Sequence, residues 1–324
     1  MSDFEGQIVT VLGGAGYIGC VLTRHLLDAG VRVRVFDNFT FGSEGIERLK
    51  HPSLEILEGD ICDIRRTSAA IAGSDAIVLL AAVVGKRVAD DPRPFIREVN
   101  LLASSVVIDA AIEHGASRLI FASSDAVYGM QSGVMYETGT PDPVSLYSRL
   151  KLRMEEQVIR SKKRTFHPTA LRIANCYGYS PRMRFDLVAN ALIRDAVLKK
   201  EITITAKEQV RALVHVDDVA RAIVSCLRAH VSLVSGQIFN VGSNEQTYQL
   251  NHLVNLVKTL VPEVSVNILG GSPDVVDYHL SSSKIQKLLD FRPQGTVERA
   301  MIELKELLST GRFSDPFDPR LSNT

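Results

Sequence analysis

The sequence lacks a surplus of charge: thirty-seven Lys and Arg meet thirty-seven Asp and Glu over 324 residues. Bulk electrostatics therefore supplies no drive toward nucleic acid or a membrane surface. Cysteine is scarce, with Cys20, Cys62, Cys176 and Cys226 widely spaced and no CxxC pair. That spacing excludes a disulfide-stapled scaffold and the usual metal-ligand spacings, and it reads as reduced thiols of a cytoplasmic protein. Long apolar runs are absent too. The longest, Ala76 to Val84, is far short of the roughly 18 residues of a membrane span. Asp3 and Glu5 precede the first strand-like run, so no signal peptide is expected. No repeat and no low-complexity segment is present. What is there is a chain 45% hydrophobic and 23% charged, enough for one large α/β domain or two smaller ones.

Short, unbroken apolar runs alternate with amphipathic stretches through the first half. Gln7–Leu12, Val31–Phe36, Leu54–Glu58, Ala76–Leu80, Leu119–Ala122 and Thr169–Ile173 read as strands. Tyr17–Ala29, Gly42–Leu49, Thr67–Ala72, Pro94–His114 and a charged helix within Pro141–Lys163 read as helices. Continuous apolar strands fit parallel strands covered on both faces. The alternation implies right-handed βαβ units and a Rossmann-type doubly wound sheet. A helix follows at about Leu187–Lys199, and Leu213–Val216 with Val219–Ala229 reads as a return to the main sheet. The remainder mixes helices (Leu250–Leu260, Ser282–Leu289, Val297–Leu308) with a strand at Val264–Leu269, and residues after Gly311 are expected to be loosely held.

Val9–Leu12 runs into Gly13-Gly14-Ala15-Gly16-Tyr17-Ile18-Gly19 and then a helix. So tight a turn needs positive φ, close backbone approach to a pyrophosphate, and close helix–strand packing. The helix start offers free N–H groups to the phosphates. Asp37 ends the next strand, 21 residues past Gly16, placed to accept from the adenosine ribose hydroxyls. Its charge repels a 2′-phosphate, and Asn38-Phe39-Thr40 brings no cation, so NAD is favoured over NADP. Asp60-Ile61 follows the third strand, where the carboxylate serves either a plain turn or the adenine amino group.

Tyr147 and Lys151 stand four apart on one helical face. An ammonium beside a phenol lowers its pKa, which yields a general base for a sugar hydroxyl. Ser123–Gly129 lies just upstream, and a serine there reaches the same substrate oxygen.

With these pieces in place the chain resembles an extended short-chain dehydrogenase/reductase of the NAD-dependent nucleotide-sugar epimerase/dehydratase kind. The resemblance rests on Gly13-x-x-Gly16-x-x-Gly19, Asp37-Asn38, Asp60-Ile61, Leu80-Ala81-Ala82, Asn100, Ser123–Gly129, Tyr147-x-x-x-Lys151, Leu171–Asn175, Arg211–Asp218 and Phe239–Gly242. It implies Ser124, Tyr147 and Lys151 as the catalytic triad, with Asn100 in support and NAD along the other motif residues. It implies Asn175 and Arg211 at the sugar-nucleotide diphosphate, although a surface salt bridge also explains Arg211. The expected architecture is a nucleotide-binding domain of residues 1–176 with 211–243 returning to it, and a smaller C-terminal α/β substrate domain from 177–210 and 244–324. By the same resemblance, helices around Pro94–His114 and Tyr147–Ser161 pair two copies into a homodimer.

The family's 4,6-dehydratases carry Thr-Asp-Glu where this chain has Ser124-Asp125-Ala126. The acid position is filled by Asp125, but a methyl group replaces the base. Epimerisation at C4 needs only the tyrosine and a resident NAD, so an epimerase is the leading reading. A 4-ketoreductase, a decarboxylase or an atypical dehydratase is the alternative, and a non-catalytic NAD-binding regulator stands in another class. Two departures bear on substrate: Leu269–Asp274 lacks the family's arginine, which either shifts diphosphate anchoring to Arg211 and the Arg182/Arg184 loop or means a different substrate, and Val83–Lys86 lacks the family's polar segment. No metal site is expected.

Overall fold

A computed structural model describes residues 4–84, 94–205, 210–269 and 278–323. Seven parallel strands form the main sheet: β1 (Ile8–Leu12), β2 (Arg32–Asp37), β3 (Leu54–Glu58), β4 (Ala76–Leu79), β5 (Arg118–Ser124), β7 (His167–Ile173) and β11 (Gln237–Val241). A three-residue β6 (Gly133–Met135) intervenes in the chain but belongs elsewhere. The spatial order is β11-β7-β5-β4-β1-β2-β3, which reverses direction between β1 and β4. Ligands of open α/β sheets bind at such a reversal, beyond the carboxyl ends of the strands.

The apolar strands are covered on both sides. Successive residues point to opposite faces, so Val78 joins one core with Val9, Val11 and Val35, while Ile77 and Leu79 join the other with Phe36 and Phe121. Helices Tyr17–Asp28 and Val216–Arg228 pack together on the first face. Helices Ile64–Ile71 and Ser104–Glu113 meet on the second. The expected single helix over Pro94–His114 is in three parts: α-helical Pro94–Arg97, a wide π-helical turn at Glu98–Ala103, then α-helical Ser104–Glu113.

Three smaller sheets complete the fold. β10 (Val210–His215) pairs parallel with β8 (Asn175–Tyr177) and antiparallel with β12 (Thr247–Gln249). β9 (Glu201–Thr205) pairs with β13 (Ser265–Leu269), and β6 pairs with β14 (Tyr278–Leu280). The expected return of Leu213–Val216 to the main sheet is therefore wrong. The chain breaks at Ala174, β8 leaves the main sheet, and β10 follows β8; the strand that does return is β11, beside β7. The segment after Gly311 also differs from expectation. Phe313 packs edge-on against Phe185 at 5.3 Å, and the Phe185 N–H donates to Leu321 O at 2.6 Å. Aromatic burial holds that stretch down. Among the described residues, no helix is long and apolar enough to cross a membrane, and no group of His, Cys, Asp and Glu could hold a metal ion.

Candidate active site

A cleft of about 470 Å³ opens at the carboxyl ends of the main strands. Its floor is the glycine turn. Gly13 has φ +84°, and a Cβ there would stand 2.6 Å from the Ala81 backbone nitrogen. A Cβ on Gly19 would stand 2.5 Å from Gly13 O, so helix Tyr17–Asp28 can close onto the turn only without one. Gly16 caps that helix with no side-chain hydrogen bond, and Gly16 through Gly19 line the cleft. The first helical N–H groups are left for an anionic ligand.

Asp37 closes this end. Its carboxylate accepts from Ala15 N at 3.0 Å and Phe39 N at 2.9 Å. Burial pushes its pKa up, opposed by those N–H groups. Asp60 accepts from Cys62 N and Asn38 Nδ2, both at 2.8 Å. Desolvation works against the Asp60 carboxylate, but these hydrogen bonds outweigh it and hold its pKa below the ordinary value. A glycine-rich turn, an uncapped helix start and two carboxylates beyond it are a donor and acceptor set that fits an adenine dinucleotide.

The other end is built by β5 and helix Leu146–Arg160. Ser145 and Ser148 form a reciprocal capping box that fixes where this helix starts. One turn then carries Tyr147 and Lys151 to the cleft. Lys151 Nζ donates to Ala122 O at 2.7 Å, 4.8 Å from the Phe121 ring centre and 5.8 Å from that of Tyr147. Ser124, at the end of β5, accepts from Ala126 N at 3.2 Å and donates to Asp125 at 3.4 Å. Asn175 Nδ2 reaches the other Asp125 oxygen at 3.4 Å. Arg184 lines the same end, paired through two hydrogen bonds with Asp186.

Burial overrides the expected electrostatics of the Tyr–Lys pair. It pushes the Tyr147 phenol up to about 12, against the opposing pull of the Arg184 guanidinium and a hydrogen bond with Ser124. Burial likewise brings the Lys151 ammonium down to about 7. Desolvation disfavours both charges in this cleft, and for the phenol it outweighs the pull of the Arg184 guanidinium. A pH consequence follows. Between about pH 7 and the unfolded-lysine value near 10.4, the unfolded chain binds the proton that native Lys151 has released. NAD-free protein is therefore expected to gain stability across that window, by on the order of a few kcal/mol. Thermal melts of the parent and a Lys151→Met variant from pH 6 to 10 check this: the difference between them should change with pH, and a constant difference would contradict it.

The cleft gathers Gly13, Gly16, Tyr17, Ile18, Gly19, Asp37, Asn38, Asp60, Ile61, Leu80, Ala81, Ala82, Ser124, Asp125, Tyr147, Lys151, Asn175 and Arg184. Asn100 is not on its wall. Its side chain accepts from Val83 N at 2.7 Å and donates to Val83 O at 2.9 Å, fixing the segment after β4. Arg211 is not on the wall either; it lies on β10 opposite Tyr248. Gly85–Lys86 and Gly270–Asp274 lie outside the described residues. Wall residues that sequence reasoning passed over include Phe41, Cys176 and Asn323. Cys176 follows Asn175 directly and was within reach; Asn323 carries no local signal.

Comparison with known proteins agrees with this layout. The model of the NAD dependent epimerase/dehydratase family matches residues 9–242. UDP-glucose 4-epimerase of Corynebacterium glutamicum is 26% identical over 315 residues, covering 90% of this chain and 93% of that protein. dTDP-glucose 4,6-dehydratase of Streptomyces antibioticus is 27% identical over 306 residues, covering 88% and 87%. The structure of MoeE5 in complex with UDP-glucuronic acid and NAD superposes with a TM-score of 0.82 at 25% identity, covering 95% of this chain and 100% of that one. A glycine turn, an acidic strand end and a Tyr–Lys helix face converging on one cleft thus have a common explanation: the chain belongs to the NAD-dependent epimerase/dehydratase family, and its cofactor is NAD.

Proposed function

We propose that the protein is a nucleotide-sugar epimerase acting at C4. The observation that carries the reading is the composition of the wall around Tyr147. Ser124, Asp125 and the phenol are present, while Ala126 supplies no carboxylate to take a carbon-bound proton. That set suits reversible oxidation of an alcohol better than loss of water. Named relatives include a UDP-glucose 4-epimerase, and MoeE5 holds UDP-glucuronic acid beside NAD.

NAD, held by the glycine turn, Asp37 and the Tyr–Lys end, supplies a hydride acceptor that can return what it takes. The chain's own groups do the rest. The Ser124 hydroxyl holds the C4 oxygen, and the Tyr147 phenol exchanges the C4 hydroxyl proton with it. The Arg184 guanidinium favours the phenolate, against burial. Asn175 and Arg184 contact sugar and diphosphate, and Arg211 enters for a nucleotide that extends past the wall to β10. In this reading segment 177–210 adds Arg184 and Leu187 to the substrate end that β5 and helix Leu146–Arg160 build. The reading includes a homodimer, supported by a surface groove lined by Leu101, Leu102, Leu146 and Leu150 together with Arg97, Arg149 and Arg153.

Incubation with UDP-, dTDP-, GDP- and CDP-sugars, followed by proton NMR and mass spectrometry, tests it. A C4 epimer should form with no change in mass and no consumption of NADH. Stoichiometric NADH use would replace the reading with a ketoreductase, and loss of water or CO₂ with a dehydratase or decarboxylase.

A further inference from the structure

Arg182 and Arg184 sit two residues apart on one loop yet serve opposite ends of the cleft. Arg184 is bound to Asp186 and acts on Tyr147. Arg182 turns toward the adenosine end. Its guanidinium lies 4.3 Å over the Phe41 ring, and it lines the cleft together with Asp37, Asn38 and Thr40. The residue is 5% exposed, so its charge is almost wholly withdrawn from water. One terminal nitrogen donates to Arg320 O at 3.1 Å and to the Asn323 side chain. Its Nε, also buried, donates to nothing. An unpaired N–H on a buried cation carries a desolvation penalty that a ligand oxygen would remove.

The partners of Arg182 come from far along the chain. Asp318–Asn323 crosses from the Phe185 backbone, where Leu321 O is bound, to Glu44, which faces Arg320 at 3.5 Å. Asn323 ends this strap on the cleft wall itself, 5% exposed.

We propose that Arg182 is a ligand of the adenosine half of NAD, donating from its free N–H groups to ribose or pyrophosphate oxygens. The strap Asp318–Asn323 fixes it in that position, and so sets how slowly NAD leaves. A cofactor that is regenerated in each cycle needs no exchange, and a strapped cation retains it. The contact rests on NAD being the cofactor and not on which sugar reaction follows, so its test and that of the epimerase reading can fail separately; the retention argument holds for any reaction that regenerates NAD.

The test is NAD release from the full-length holoprotein, read as NAD retained after gel filtration and as exchange with labelled NAD. A charge-assisted hydrogen bond of roughly 1.5–3 kcal/mol corresponds to about tenfold to a hundredfold faster release for Arg182→Ala. Asn323→Ala should release NAD about tenfold faster, because the guanidinium loses its anchor. Arg164→Ala, at an exposed position off the cleft wall, should release it at the parent rate. Melting of each NAD-stripped variant separates loss of ligand from loss of fold. Parent-like release from Arg182→Ala overturns the contact. Parent-like release from Asn323→Ala, or faster release only where the stripped protein also melts early, overturns the strap.

Discussion

Replacing Tyr147 by Phe is expected to lower turnover by about 10²–10⁴-fold, the loss typical of a general acid–base group. That corresponds to roughly 3–5 kcal/mol of transition-state stabilisation. The ring stays, so packing beside Lys151 is retained, and the variant should melt close to the parent and keep its NAD. The loss should fall on kcat rather than on KM, since the hydroxyl matters when the proton moves. The high resting pKa of the phenol sharpens the expectation: held near 12 by burial, it works only when Ser124 and neighbouring positive charge favour the phenolate. A Phe variant with undiminished activity would remove the catalytic reading and raise that of a non-catalytic NAD-binding regulator.

Glu155→Ala is expected to cost about 3–5 kcal/mol of stability. Glu155 on helix Leu146–Arg160 pairs with Arg172 on β7 through bonds of 2.6 and 3.0 Å, and both side chains are almost fully buried. The guanidinium also lies 4.8 Å from the Tyr128 ring centre. Removing the carboxylate leaves an uncompensated cation in the core, which is worse than having neither charge. Thermal unfolding should move down by on the order of 10 °C. Replacing the pair together, Glu155→Leu with Arg172→Met, should recover much of the loss. If the single change melted like the parent, the pair would not be what clamps this helix to the sheet. The same helix carries Tyr147 and Lys151, so activity should fall further than the fraction unfolded explains.

The fold was legible wherever local backbone demands are strong. Gly13 and Gly19 must be glycine because neighbouring backbone fills their Cβ positions. The short apolar strands announce a sheet buried on both faces, and that is the sheet found. Reading failed where a pairing is distant or where burial decides. Nothing local in Leu213–Val216 tells that β10 pairs with β8 and β12 instead of the main sheet. Nothing in Arg182 points to Asn323, 141 positions later. The chemistry of Tyr147 and Lys151 was read from their spacing, but spacing says nothing of desolvation, and desolvation sets both pKa values. Asn100 was visible as a motif residue; that it grips Val83 instead of lining the wall depends on the turn it occupies.

That turn has a consequence for how the rim of the cleft is phased. A π-helical turn houses one residue more than the α-helix around it, and each α-helical residue advances the spiral by about 100°. Phe95, Ile96 and Val99 border the cleft from this stretch. Their bearing is counted from Ser104 backward through the widened coil of Glu98–Ala103. Gain or loss of one residue there would swing the aromatic and aliphatic rim about a third of a revolution while leaving the sheet behind it undisturbed. The cleft mouth is thus phased by a length set at a single turn, the turn from which Asn100 also holds Val83 on the cleft wall.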